Sequence, residues 1–303
     1  MSKMAPMTPQ INLLLSERWT DYELLDSGDG QKLERFGRFV FVRPEVQAIW
    51  KKRLPPERWL AAHANFQPSG EESGGHWHFT TQVTERWVMN YADLKFWAQT
   101  TPGRHLGVFP EGAAHWDWIS DLIQAASRPI NVLNLFGYTG LATLAAAAAG
   151  ASVTHVDASK KAISWARENQ SLSGLEDRPI RWIVDDALKY VQREVRRGVK
   201  YQGLIIDPPK FGRGPKGEVW DVYKSLPILL DACRLLLDKK SLFAVLTVYA
   251  VKASSLHVRS VMEEMLEGFF GNFDSGELVT RESSGERLLS SAVYARWDNK
   301  KNG

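Results

Sequence analysis

The chain has 303 residues and a formal net charge of +3, and hydrophobic residues make up 44% of it. This length suits one large α/β domain with a smaller domain attached, and the composition excludes a chain that is disordered throughout. The single cysteine, Cys233, excludes an intrachain disulfide and a cysteine-based metal site, while the charge permits nucleic-acid binding without requiring it.

Residues 1–106 predict a small β-rich domain. Short β-like runs stand at 39–43, 77–81 and 86–90, and the Gly/Ser/Glu segment 67–75 between them predicts an exposed hairpin tip. Eight of the twelve tryptophans lie in the first 120 residues. We expect most of them to pack in the core, although a subset that stacks on bases would make this domain a substrate platform. The candidates for stacking are Trp77, Trp87 and Trp97.

No segment predicts insertion into a membrane. The start of the chain, residues 1–10, lacks the apolar stretch of a signal peptide, and the apolar run 141–153 is too short to span a bilayer. We therefore expect a cytoplasmic protein, which agrees with its low cysteine content. The sequence does not decide between a monomer and a homodimer.

Beyond residue 130, apolar strands alternate with helical segments. This alternation is typical of βαβ units and predicts a Rossmann-like, seven-stranded, doubly wound α/β domain over residues 107–303. The predicted strands are 130–136, 152–157, 180–184, 203–206, 242–248, 277–279 and 288–296, and the main predicted helices are 141–149, 160–173, 187–197 and 225–237.

The segment NLFGYTG, residues 134–140, follows the first predicted strand of this domain. In an open α/β sheet this is the crevice where ligands bind. Gly137 and Gly140 allow a tight turn and a close approach of the backbone to a ligand. The alternative is a βα turn with no ligand.

Acidic residues end the next two predicted strands. Asp157 comes 17 residues after Gly140, where a carboxylate can accept both hydroxyls of a ribose. It could instead cap the following helix, a role that Ser159 can also fill. Asp185 and Asp186 stand where an adenine amine would be bound, and one of the two could cap a helix.

The segment Asp207–Phe211, DPPKF, directly follows the apolar strand GLII. Prolines donate no backbone hydrogen bond, so the pair ends the strand and leaves nearby carbonyls free to accept from a ligand. Asp207 adds a second acceptor, and Phe211 offers a face on which a planar base could stack. Such a site would bind an aromatic ring that carries an amine. The alternative is a Pro-Pro strand terminator without a ligand.

These four motifs resemble those of the class I S-adenosylmethionine (SAM)-dependent methyltransferases, and within them the group that includes the bacterial large-subunit ribosomal RNA methyltransferases I and K. The resemblance covers residues 107–297, and it implies SAM as cofactor and S-adenosylhomocysteine as product. It also implies that GVFPE, residues 107–111, closes over the methionine end of the cofactor. The implied cofactor-binding residues are Phe109, Asn134, Phe136, Gly137, Tyr138, Thr139, Gly140, Asp157, Ala158, Ser159, Asp185, Asp186, Ala187 and Asp207. The implied catalytic residues are Asp207, Pro208, Pro209 and Phe211.

The sequence departs from this group at the catalytic nucleophile. Methylation of cytosine C5 needs a cysteine that attacks the ring, because a ring carbon is otherwise a poor nucleophile. Members of the group that perform it carry this cysteine after the strand that follows the catalytic motif, where this chain has Thr247, Val248 and Tyr249. Cys233 lies in the preceding helical segment, where we expect it to be buried. We therefore expect methylation of a base nitrogen, with Asp207 as acceptor and orienter.

The substrate is predicted to be RNA, and ribosomal RNA in particular. The chain lacks the small RNA-binding module that the group places first, and the basic run 189–200 is either a phosphate-binding surface or a solvated helix face. A methyltransferase acting on a protein or a small molecule and a non-catalytic SAM- or RNA-binding protein remain alternatives. A dehydrogenase is disfavoured because the full G-x-G-x-x-G fingerprint is absent.

Overall fold

The computed structural model describes residues 10–69, 74–249 and 252–299. Among them, the N-terminal elements are short strands with two helices. In chain order they are β1 (Asn12–Leu15), β2 (Tyr22–Gly28), β3 (Gln31–Phe36), β4 (Phe39–Pro44), α1 (Pro56–Leu60), β5 (Ala64–Pro68), β6 (Gly75–Phe79), β7 (Trp87–Tyr91), β8 (Leu94–Ala98) and α2 (Ala113–Ala125).

The elements after residue 130 alternate between strands and helices, as predicted. They are β9 (Asn131–Leu135), α3 (Leu141–Ala148), β10 (Ser152–Asp157), α4 (Lys160–Leu172), β11 (Ile180–Val184), α5 (Ala187–Arg196), β12 (Gly203–Ile206), β13 (Phe211–Arg213), β14 (Val219–Asp221), α6 (Val222–Arg234), β15 (Phe243–Tyr249), α7 (Ser255–Met265), β16 (Asn272–Arg281) and β17 (Leu288–Asp298). Helix α6 begins three residues before its predicted start because the Asp221 side chain caps it, accepting from the Tyr223 amide.

The main sheet has eight strands in the order β1-β16-β17-β15-β12-β9-β10-β11. Seven of them form the predicted Rossmann-like sheet, which is confirmed. Strand β17 is antiparallel to both of its neighbours, and the other pairings are parallel. The eighth strand, β1, was not predicted, and it extends the sheet from the N-terminal part of the chain. The division into domains at residue 107 stays a prediction.

Helices cover both faces of this sheet, and the two cores follow the alternation of side chains along its strands. Leu204 and Ile206 of β12 pack with α5, α6 and α7 on one face. Ile205, between them, packs with α2 and α3 on the other. A strand buried on both faces has no polar positions, which is why GLII was recognisable as a central strand.

The N-terminal strands form a five-stranded sheet, β2 to β6, and a hairpin of β7 with β8. Their aromatic core is shared with α2 and α3. Trp87 is buried and stacks on Phe41 with ring centroids 5.6 Å apart. Trp77 is partly buried against the same core, and its indole donates to the Thr101 carbonyl at 2.9 Å. Both tryptophans therefore contribute to core packing, as we expected for most of them. Trp97 is half-buried and lies under the Arg86 guanidinium.

The hairpin that was predicted around residues 67–75 joins β5 to β6, which pair in antiparallel fashion from Pro68 opposite Gly75. Residues 70–73 of this tip lie outside the described residues, as do residues 1–9 of the start of the chain. In the part of the chain that the structure describes, no helix is long and apolar enough to cross a membrane.

Candidate cofactor-binding and catalytic site

The predicted glycine loop connects β9 to α3 and has a strained backbone. Phe136 and Tyr138 have φ angles of 59° and 50°, which is uncommon for residues other than glycine. A Cβ at Gly137 would overlap the ring of His155, and Gly140 has a φ of 88°. Such strain persists where the surrounding structure holds it, often at a ligand site. Both glycines are therefore required by the geometry of the loop.

Three buried side chains next to the loop are connected by hydrogen bonds. The Asn134 amide donates to Thr143 Oγ1 at 2.8 Å, and that hydroxyl contacts His155 Nδ1 at 2.9 Å. Burial lowers the pKa of His155 to about 3, so its ring is neutral. The side chain of Asn134, which we predicted to bind the cofactor, is thus engaged in the core and shapes the loop. His155 was not predicted, because nothing in the sequence marks its position beneath Gly137.

The segment 107–111 packs against the loop, as the resemblance suggested. Thr139 Oγ1 donates to the Gly107 carbonyl at 2.6 Å. The Phe109 ring lies 5.7 Å from the Tyr138 ring and 5.3 Å from the Tyr249 ring, measured between centroids. The loop, the 107–111 segment and the end of β15 therefore meet at one aromatic cluster. Phe136 instead packs on Trp220, with centroids 4.8 Å apart.

Asp157 ends β10 beside the glycine loop. Its Oδ2 accepts from the Tyr138 amide at 2.9 Å, and its Oδ1 accepts from the Ser159 amide at 2.7 Å. Burial raises its pKa. Ser159 caps α4, accepting from the Ala162 amide at 3.2 Å. Asp157 is therefore not the helix cap, and Ala158, between them, is partly buried.

The neighbouring pair of acids has separate roles. Asp186 caps α5, accepting from the Lys189 amide at 3.0 Å. Asp185 forms an ion pair with Arg193 at 2.6 Å. Both carboxylates already have protein partners, and Ala187 is buried in the core. Contact between Asp185 and an adenine amine stays a prediction.

Asp207 stands at the end of β12 with an unsatisfied carboxyl. The residue keeps some exposure, yet its Oδ1 is buried and has no hydrogen-bond partner among the described residues. Burial, and next the negative charge of Glu111, raise the pKa of Asp207 to about 8. A buried polar atom without a partner is costly and often marks a ligand or catalytic position.

Both prolines after Asp207 make contacts within the protein. Pro208 is buried, and the Pro209 carbonyl accepts from the Trp220 indole at 2.7 Å. The prediction that the carbonyls near this pair are free for a ligand is therefore wrong for Pro209. Phe211, by contrast, is 54% exposed and available for stacking.

Glu111 and Tyr249 complete the site and were not among the predicted site residues. Burial raises the pKa of the Glu111 carboxyl. Burial, followed by the charges of Asp207 and Glu111, raises the pKa of Tyr249 well above its usual value. Glu111 lies in the segment 107–111 and Tyr249 ends β15, far from Asp207 in the sequence, so only the fold relates them to Asp207.

These residues fit SAM, the cofactor that the resemblance implies. Gly137 leaves room for close approach, and Asp157 offers a carboxylate for ribose hydroxyls. The rings of Phe109, Tyr138 and Tyr249 form a surface that attracts a cation such as a sulfonium. Asp207 follows β12, and Tyr249 ends the neighbouring strand β15, in which Leu246 lies opposite Ile206.

Comparisons with known proteins agree with this assignment. A family model described as S-adenosylmethionine-dependent methyltransferase matches residues 57–265. The chain is similar to a crystal structure of a SAM-dependent methyltransferase from Agrobacterium tumefaciens, with 48% identity and a TM-score of 0.91, covering 95% of this chain and 93% of that one.

Two curated relatives carry the name ribosomal RNA large subunit methyltransferase K/L. The one from Shewanella frigidimarina is 43% identical over 34% of this chain. The one from Methylococcus capsulatus is 30% identical over 65% of this chain. The chain spans only 14% and 25% of the length of these relatives.

Proposed function

The chain belongs to the S-adenosylmethionine-dependent methyltransferases, and on that premise we propose that it methylates a base nitrogen in RNA, with ribosomal RNA as the first candidate. The RNA substrate is supported by the names of the curated relatives, which are ribosomal RNA methyltransferases. This substrate also favours the cytoplasm as the place of the reaction.

The choice of nitrogen over carbon C5 rests on the position of the single cysteine. Cys233 is fully buried in α6, and burial raises the pKa of its thiol. It packs in the core beneath the sheet rather than in the aromatic cluster at Phe109 and Tyr249. A thiol that is neutral and enclosed cannot attack a pyrimidine ring. A base nitrogen already carries a lone pair, so it needs orientation and an acceptor for its proton rather than a covalent attack on the ring.

The observation that carries the proposal is Oδ1 of Asp207, which is buried and has no hydrogen-bond partner in the part of the chain that the structure describes. An amine that enters the site can donate an N–H to this carboxyl, which aims the nitrogen lone pair. Bound SAM would supply an electrophilic methyl group, and its sulfur–methyl bond would break to release S-adenosylhomocysteine, a neutral thioether. As the new N–C bond forms, the nitrogen becomes positively charged and its proton can pass to ionised Asp207. A carboxyl whose pKa is about 8 is suited to hold this proton near neutral pH.

The surroundings of Asp207 help to exclude water. Phe109 and Tyr249 close one side of the site, and Pro208 is buried beside it. A site with little water strengthens the electrostatic interactions that guide the nitrogen. A nearby cation lowers the pKa of a carboxyl, so the charge of a bound sulfonium would favour the ionised, proton-accepting form of Asp207.

The test uses labelled SAM with separate pools of unmodified ribosomal RNA, transfer RNA and protein extract. Wild type is compared with Asp207→Ala and with a surface control, Asp121→Ala, while a SAM titration confirms that each variant still binds the cofactor. We expect label in RNA with wild type and the control, and none with Asp207→Ala. Label that enters only protein, or no pool at all, would overturn the RNA assignment.

A further inference from the structure

We propose that the hairpin of β13 and β14, together with the start of α6, is the surface on which the unpaired RNA strand that flanks the target base docks. Its exposed aromatic rings stack on neighbouring bases, and its basic side chains contact phosphates. This inference rests on the proposed function and deepens it, because it assigns the docking element and requires a single-stranded target.

The hairpin has two different faces. In the antiparallel register Gly212 lies opposite Trp220, and Arg213 lies opposite Val219. Side chains alternate along a strand, so Phe211, Arg213 and Val219 share one face while Trp220 points to the other. Trp220 is buried, whereas Phe211 and Val219 are 54% and 75% exposed. The apolar side chains of the outer face are therefore presented to solvent.

The inner face fixes the hairpin to the catalytic segment. The Trp220 indole donates to the Pro209 carbonyl at 2.7 Å, and the Trp220 ring packs on Phe136 of the glycine loop. The Val222 amide donates to the Lys210 carbonyl at 3.0 Å. Two short strands alone are only marginally stable, so these contacts hold the outer face at a set position next to Asp207.

A second exposed aromatic residue follows the hairpin. Tyr223, at the start of α6, is 53% exposed. Its hydroxyl accepts from the Lys252 amide at 2.6 Å, so the end of the side chain is held near the end of β15. Phe211 pairs with Asp221, two residues before Tyr223. Clustered exposed apolar groups mark interaction sites, and here they are next to the carboxyl that acts on the base.

The charges around the hairpin favour an anionic partner. Arg213 and Lys216 are exposed, and neither has an ion-pair partner among the residues that the structure describes. The nearby acids are occupied. Glu218 pairs with Lys189 at 2.6 Å, and Asp221 caps α6 by accepting from the Tyr223 amide. A face that combines free cations with exposed rings is the arrangement that single-stranded nucleic acid requires.

The other basic candidate, the run 189–200, lacks this character. Arg193 pairs with Asp185, and Arg197 pairs with Glu194. Lys200 donates to the Leu235 carbonyl. Most of its cations are thus engaged within the protein, which supports the interpretation of this run as a solvated helix face. The hairpin is the stronger candidate for contact with RNA.

Stacking on protein rings requires base faces that are not covered by neighbouring base pairs. Bases in an A-form duplex are stacked on each other, and side chains cannot enter its deep, narrow groove. The outer face of the hairpin therefore matches an unpaired segment, such as a loop or a bulge, and does not match a continuous duplex.

Fluorescence anisotropy with a labelled single-stranded oligoribonucleotide, and with a duplex of the same sequence, tests the inference. Tyr223→Ala should weaken binding of the single strand at least about fivefold, the low end of what one stacked base contributes. Arg213→Ala should lower the slope of log K against log salt by about 0.7, the value for one phosphate contact in a single strand. The wild-type protein should bind the duplex more weakly than the single strand.

Matched controls are Phe270→Ala, which removes a 90% exposed ring between α7 and β16, and Arg196→Ala in α5. Neither should change RNA binding, and every variant should bind SAM as wild type does. The inference is overturned if the hairpin variants bind RNA as wild type does, or if the duplex binds equally well. If either of these results is found while wild type still methylates RNA, only the inference about the hairpin is overturned. If wild type neither binds nor methylates RNA, the proposed function is overturned as well.

Discussion

Replacing Asp207 by asparagine should stabilise the protein at alkaline pH while it abolishes methyl transfer. Asparagine has the shape of the protonated carboxyl but cannot ionise. The pKa of Asp207 in the fold is raised from 3.8 to about 8 by burial and by the charge of Glu111. The wild-type site thus stores an unfavourable charge whenever Asp207 is ionised, and the variant does not.

The size and sign of the effect follow from the two protonation states. Because the pKa of Asp207 is higher in the folded protein than in the unfolded chain, the contribution of Asp207 to stability is complete below pH 3.8, the unfolded pKa. This contribution is lost as the pH rises through about 8, the folded pKa. Each pKa unit corresponds to about 1.4 kcal/mol, so the loss is a few kcal/mol. The stability gained by Asp207→Asn should therefore grow from pH 5 to pH 8 and level off above pH 8.

Denaturant unfolding of wild type and Asp207→Asn between pH 5 and pH 9 measures this difference, and titrating groups that do not interact with Asp207 cancel in the comparison. Asp121→Asn, which removes an exposed carboxylate from the surface of α2, is the matched control. In a Glu111→Gln background the gain should shrink, because the neighbouring charge is gone. A gain that does not change with pH would refute the reasoning, since it would show that Asp207 is not held protonated in the fold.

Four further changes test individual parts of the site. Cys233→Ala should lower stability by about 1 kcal/mol, because it leaves a small cavity, and it should leave methyl transfer intact. An activity assay that finds no transfer would favour a covalent mechanism. Asp157→Ala should weaken SAM at least about tenfold in a calorimetric titration with unchanged circular dichroism; equal affinity would argue against a ribose contact. Gly137→Ala should lower the free energy of unfolding by about 1–3 kcal/mol and weaken SAM binding, because the added methyl group overlaps His155. A variant as stable as wild type would contradict that packing. His115→Leu should raise stability by about 1 kcal/mol, since both ring nitrogens are buried and neither has a partner among the described residues. Thermal unfolding that shows a loss would mean that those nitrogens have partners.

Periodicity and strand-end residues were enough to predict the Rossmann-like sheet. Strands such as β12, with four apolar residues buried on both faces, stand out from their surroundings. The additional strand β1 was not predicted, because NLLL is short and has no clear turn signal on either side. It pairs with β16, more than 250 residues away in the sequence, and a local pattern cannot show such a pairing.

The site was predictable where the chemistry is local and not where it depends on the fold. The glycine loop, Asp157 and Asp207 lie in recognisable motifs. Which acid caps a helix depends on the position of one backbone amide, so only the structure separates Ser159 from Asp157. His155 and Tyr249 reach the site through tertiary packing. The Pro209 carbonyl was predicted to be free because its partner, the Trp220 indole, is eleven residues further along the chain.

We propose that this enzyme methylates a nitrogen of a base in RNA without a covalent intermediate. The most direct measurement is the identity of the modified nucleoside after wild-type protein, labelled SAM and unmodified ribosomal RNA are incubated and the RNA is digested. We expect a nucleoside methylated on a base nitrogen, and we expect it to be absent with Asp207→Ala. Recovery of 5-methylcytidine as the labelled product would contradict it.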